Sequence, residues 1–155
     1  MIIVRNTTRQ TVNLTQLQKL GQAWLGEQGL ENQEVSLVLV GARRMRRLNR
    51  EFRGIDRATD ILSFPASAQV PQNQLLGEIV INLVAVAKPN NYLTVFGKRR
   101  SATDILEFLL IHGLLHLIGY QDDTEAGRQA MLKRGAEFLA RFYNQSVNDI
   151  IKDSD

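Results

Sequence analysis

The chain has 155 residues, 44% apolar and 23% charged, and no cysteine. That composition excludes a fibrous or disordered chain and fits one domain, residues 1–155, with a core that needs no staples; the missing thiols exclude a disulfide scaffold, a cysteine nucleophile and any thiolate metal site. Nineteen Lys and Arg against sixteen Asp and Glu leave a net charge of +3, which by itself names no partner.

Taken in chain order, Ile2 to Arg5 reads as a short strand. Its apolar run is too short for a signal-peptide core, so the protein is expected in the cytoplasm. A helix is predicted from about Thr15, where Thr15 and Gln18 make a capping-box pattern and Leu17, Leu20 and Trp24 share a face; Gly29 ends it. Val35 to Val40 (VSLVLV) is rich in β-branched residues and reads as a second strand.

An arginine-rich helix comes next. Arg43, Arg44, Arg46, Arg47, Arg50, Arg53 and Arg57 face only Glu51 and Asp56 as local counter-charges. Met45, Leu48 and Phe52 fall at helical spacing and are expected to form its buried stripe. The arginines then occupy the remaining surface, which fits either a phosphate-binding face, with nucleic acid as the polyanion, or an ordinary solvated one. Asp60 to Phe64, stopped by Pro65, and Leu76 to Asn82 are predicted strands, with a short helix over Leu83 to Lys88. Ser101 with Asp104 opens a strongly apolar helix that Gly119 ends, and an amphipathic helix carries Met131, Leu132, Phe138, Leu139 and Phe142. Four strands and about five helices predict an α+β, or mixed α/β, layer fold. The apolar stretch Ile105 to Tyr120 is interrupted by Glu107, His112 and His116, so a membrane span is not expected.

The chemistry concentrates in Ile111 to Asp123, IHGLLHLIGYQDD. The chain's two histidines, His112 and His116, stand four residues apart and project from one helix face a turn apart. Leu, Ile and Phe surround them, so as core residues they would lack polar partners. A metal ion would supply one. Gly119 permits a chain reversal that returns a carboxylate, Asp122 or Asp123, toward the imidazoles, and two His with one carboxylate leave a coordination position open. The spacing is also that of metzincin peptidases, but Gly113 stands where they carry a glutamate base, which argues against peptide hydrolysis.

The segment His112-Gly113-Leu-Leu-His116-Leu-Ile-Gly119-Tyr120 resembles the signature of the YbeY family of bacterial metal-dependent endoribonucleases. Leu48-Asn49-Arg50-Glu51-Phe52-Arg53-Gly54, with Asp56 and then Thr59-Asp60-Ile61-Leu62-Ser63-Phe64-Pro65, is similar to a second family signature, and Leu76-Gly77-Glu78-Ile79 to a third. The resemblance implies a small four-stranded mixed sheet flanked by helices, with one divalent metal, zinc first, at the end of a long helix in the C-terminal half. It implies cleavage of single-stranded RNA in rRNA maturation, at the small-subunit 3′ end, and a place in ribosome quality control. The implied partners are rRNA, the ribosome and ribosome-assembly proteins, with neither membrane nor small-molecule cofactor. It gives Arg53 a place beside the metal, on the scissile phosphate. The family's usual ending after Tyr is Asp then His; here it is Gln121 then Asp122, so Asp122 takes the third ligand position. Two other readings remain at this point: an rRNA-binding assembly factor with a structural metal, and a metal hydrolase of another substrate.

Overall fold

The computed structural model describes residues 1–66 and 75–152. Strand β1 (Ile2–Asn6), helix α1 (Leu14–Glu27), strand β2 (Glu34–Val40) and helix α2 (Ala42–Arg53) lead to strands β3 (Ile61–Pro65) and β4 (Leu75–Asn82). Helix α3 (Leu83–Val86), a 3-10 turn (Pro89–Tyr92) and helix α4 (Leu93–Phe96) follow, then the long helices α5 (Ala102–Leu117) and α6 (Glu125–Phe142) and a final turn of helix, α7 (Val147–Ile150). The expected mixed sheet is present. Its strand order is β1-β2-β4-β3, with β1, β2 and β4 parallel and β3 antiparallel to β4 at one edge.

Why β2 is apolar without interruption from Leu37 to Val40 is clear from its two faces. Val35, Leu37 and Leu39 join Ile79 and Ile81 of β4 in the main core with α1, α5 and α6. Val38 and Val40 point the other way, into a smaller core with Val80, Leu62 and Met45 beneath α2. A parallel strand covered on both sides has no polar face to offer. Helix α5 is the corresponding central helix: from Ile105 to Leu117 all its residues are buried except His112 and His116, as a helix apolar on every side requires.

Gly113 lets α5 lie close on the sheet. A Cβ there would stand 2.9 Å from Ile61 Cδ1 and 3.1 Å from Ile79 Cδ1. The histidines on either side are thereby held beside edge strand β3. At the end of α5, Gly119 takes φ 107°, while its N–H donates to the His116 carbonyl at 3.0 Å and the Tyr120 N–H to that of Leu115 at 3.1 Å. This Schellman termination reverses the chain as the glycine predicts.

Three local expectations are corrected. Helix α1 is capped by Asn13, whose side chain accepts from the Gln16 N–H at 3.1 Å, so Thr15 lies inside the helix; Asn accepts in the same way and stands nearer the start. Asp60 lies just outside β3, and Pro65 inside it, paired with Gly77 on the sheet edge where a missing N–H costs no ladder bond. The buried residues of α2 are Met45 and Asn49, whereas Phe52 is 63% exposed. By its last turn α2 has passed the small core, and the apolar periodicity outruns the surface available to cover it. Among the described residues no helix is long and apolar enough to cross a membrane.

Candidate metal centre

His112 and His116 sit on the last turns of α5, their rings 4.9 Å apart and nearly perpendicular. The reversal at Gly119 brings Asp122 across them: its Oδ2 lies 3.3 Å from His112 Nε2 and 3.2 Å from His116 Nε2. Asp122, not Asp123, is therefore the carboxylate that joins the pair, and one ligand atom from each of the three lies within 4.8 Å of the others. The other nitrogen of His116, Nδ1, is 3.0 Å from the Tyr120 carbonyl oxygen. A carbonyl only accepts, so Nδ1 carries the proton and Nε2 presents a lone pair. That lone pair faces the lone pairs of a carboxylate oxygen, an arrangement stable only with a cation or a proton between them.

The donor set fits a metal. Ligands bound at about 2.0–2.1 Å in a tetrahedron lie roughly 3.3 Å from one another, the spacing Asp122 keeps to both imidazoles. Burial, and next the neighbouring His116, hold the His112 pKa below its ordinary value, which favours the neutral ligating form. Partial burial works to raise the Asp122 carboxyl, but the two imidazoles, His116 first, outweigh it and hold the pKa below the usual carboxylate range. The His116–Tyr120 hydrogen bond is the kind of outer contact that orients a metal-binding imidazole.

These three residues form the floor of a cleft of about 700 Å³, walled by β3, the end of α2, the segment around Tyr92 and the start of α6. Arg53 lines it, as do Phe52, Phe64, Tyr120 and Arg128. Two buried asparagines position the loop that joins α2 to β3. Asn49 Nδ2 donates to the Arg57 carbonyl at 2.8 Å and Asn82 Nδ2 to that of Thr59 at 3.1 Å. On the same wall, Tyr92 donates to Asp60 at 2.9 Å; burial and then the Asp60 carboxylate push the Tyr92 hydroxyl pKa up.

The other arginines named from sequence fall outside the cleft. Arg43, Arg44, Arg46, Arg47 and Arg50 are all exposed on α2, and none of them lines it. Arg46 forms a bidentate pair with Asp56 at 2.9 and 3.2 Å, and Arg50 approaches the same carboxylate at 3.7 Å. Sequence reasoning missed Arg128, which reaches the cleft from α6, and the Tyr92–Asp60 pair. No local pattern signals either: residues 32 positions apart meet only through the fold.

A mixed α/β layer domain with a His, His, Asp group on the floor of an arginine-lined cleft has the architecture and ligand set of a metal-site protein. The sequence model of the family described as "Endoribonuclease YbeY" matches residues 3–143, and the chain belongs to that family. A protein named Endoribonuclease YbeY from Anaeromyxobacter sp. (strain Fw109-5) is 44% identical over 119 residues, covering 77% of this chain and 59% of that relative. One of the same name from Moorella thermoacetica is 38% identical over 138 residues, covering 82% of this chain and 85% of the relative. The chain thus spans under two thirds of the Anaeromyxobacter protein and most of the Moorella one. A Thermotoga maritima protein solved in solution has the same fold, with a TM-score of 0.60 at 24% identity over 100% of this chain and 97% of that one.

Proposed function

We propose that this protein is a metal-dependent endoribonuclease that cleaves single-stranded RNA in the cytoplasm, with rRNA as its substrate and the ribosome and its assembly proteins as partners. The observation that carries this reading is the convergence of His112 Nε2, His116 Nε2 and Asp122 Oδ2 in the cleft that Arg53 lines, in a chain whose family is named for that activity. Bound there, a divalent ion, zinc first for a ligand set of two imidazoles and a carboxylate, supplies Lewis acidity toward a phosphoryl oxygen.

The chain's own residues do the rest. Arg53 offers a fixed fork of donors, which suits the non-bridging oxygens of a phosphodiester and the negative charge that grows on them as the bond to the leaving oxygen breaks. His116 is held with Nε2 toward the cleft by the Tyr120 carbonyl. Glu107, the one buried carboxylate of α5, takes no part as a base, since it faces Tyr143 on another side of the helix. On the outer face of α2, Arg43, Arg44 and Arg47 add phosphate attraction without sequence preference, and Arg46 and Arg50 add less because Asp56 already engages them.

Metal content of the purified protein, together with cleavage of a labelled single-stranded RNA, tests the reading. Wild type is expected to bind one ion and cleave; His116→Ala loses both, and Arg53→Ala keeps the metal while turnover falls more than affinity. RNA binding without cleavage in the metal-loaded wild type would make the protein a binding factor with a structural metal instead.

A further inference from the structure

Phe52 stands out because packing does not account for it. Helix α2 is anchored by Met45 and by Asn49, the latter 2% exposed, and the helix needs nothing apolar in its last turn. Yet Phe52, 63% exposed, stands on the wall of the metal cleft, directly before Arg53 in the chain. Phe64 of β3 meets it edge to face, with centroids 5.2 Å apart and planes at 63°. That contact fixes the ring from one side. Nearly two thirds of the residue remains exposed.

A braced, open aromatic ring is a costly feature in water, and it becomes favourable when a second flat apolar surface covers it. Its surroundings define that surface. Arg53 lines the same cleft, so the occupant is anionic as well as flat, and a nucleotide strand combines both properties; Arg128, on the α6 side, is already paired with Glu125 at 2.8 and 3.2 Å. Within a duplex, each base is already stacked and paired, and its face is not free to receive a side chain.

We propose that Phe52 is a stacking subsite for one unpaired nucleobase of an RNA strand whose phosphate lies on Arg53, so that this ring, rather than a reader of base edges, selects single-stranded over paired RNA. The inference rests on the RNA reading of the metal cleft. It adds a binding residue and a reason for strand selectivity. Stacking tolerates every base, so the subsite imposes little sequence preference.

The test uses the metal-loaded protein and a single-stranded oligoribonucleotide carrying 2-aminopurine, whose fluorescence is quenched on stacking, followed by stopped flow before cleavage and then through turnover. Phe52→Ala is expected to abolish the quench and raise KM by about ten-fold or more. Phe52→Tyr keeps the ring and both properties. Phe52→Leu keeps the apolar contact with Phe64 but behaves like the alanine variant. Ile3→Ala, which removes an exposed apolar side chain from the far edge strand β1, changes neither. Leucine restoring the quench and KM, or alanine leaving them intact, overturns the subsite. Cleavage by wild type without any quench also overturns it while leaving the endoribonuclease reading standing; wild type that neither binds nor cleaves RNA removes both.

Discussion

Helix α5 holds His112 and His116 on the floor of the open cleft and Glu107 on another face, 4% exposed. At about 100° per residue, Glu107 lies roughly 140° and 180° around the helix from the two histidines. The carboxylate accepts a hydrogen bond from the Tyr143 hydroxyl, beside a separate cavity of about 350 Å³. Each ionisable cluster meets the same apolar helix in a different way. Glu107 has a donor built into the fold, while burial pushes its own pKa up and burial with the Glu107 contact pushes the Tyr143 hydroxyl up to about 12. Around His116 the fold instead aims a lone pair at a carboxylate oxygen. An acceptor paired with a donor is a finished structural contact, whereas acceptors converging on one another could hold a cation between them.

The sharpest way to break this contrast is to remove one member of each cluster and measure metal by elemental analysis. His112→Ala is expected to bring bound metal close to zero, a larger loss than the roughly 10–100-fold that outer contacts of a metal site contribute, whereas Glu107→Ala leaves the metal content at the wild-type value. Equal metal in wild type and His112→Ala would end the assignment. Within the cleft cluster, Asp122→Ala should lose metal and Asp123→Ala should not, because only the Asp122 carboxylate approaches the imidazoles. Asp122→His should retain it, imidazole being as suitable a ligand.

A smaller effect is expected on the Glu107 side. Tyr143→Phe removes the donor and leaves a buried carboxyl group short of a partner, which costs about 1–3 kcal/mol, read as a lower denaturant midpoint with unchanged slope. Metal binding and cleavage should be unaffected. A stability loss accompanied by metal loss would show that the two clusters are coupled through α5.

The smallest expected change has the opposite sign. An acid whose pKa is raised in the folded state binds more protons folded than unfolded, so its contribution is fully present below the unfolded glutamate pKa of about 4.3 and is lost as pH rises through the folded one. Glu107→Gln keeps an acceptor for Tyr143 and removes the charge. It should raise Tm near pH 7 by on the order of 2–4 °C and lose that advantage below about pH 4. A variant less stable than wild type at pH 7 would mean that the charged carboxylate is itself stabilising.

Much of the site was legible in the sequence because its determinants are local. The spacing of His112 and His116 places them on one helix face through the 3.6-residue period, Gly119 marks the reversal, and Ser101 caps α5, its hydroxyl accepting from the Asp104 N–H at 3.1 Å. The apolar run of β2 likewise announces a strand. In each case the physics operates within a turn of helix or a few residues of chain. Resemblance to a known family then singled out Arg53 from an arginine-rich stretch, which periodicity could not do.

Tertiary structure decided what depends on where an element runs out of neighbours. Spacing by itself left Asp122 and Asp123 open; the path of the chain beyond Gly119 turns Asp122 onto the imidazoles, the position at which the resemblance places the third ligand. The helical period groups Phe52 with Met45 and Leu48, but α2 extends past the small core and leaves that ring in the cleft. Likewise Asp56, not composition, determines how free Arg46 and Arg50 are, and the Tyr92–Asp60 contact joins segments 32 residues apart. Sequence alone determined which side chains share a face, since backbone geometry repeats within each element; the fold determined which faces are covered, because burial depends on what packs there from elsewhere in the chain.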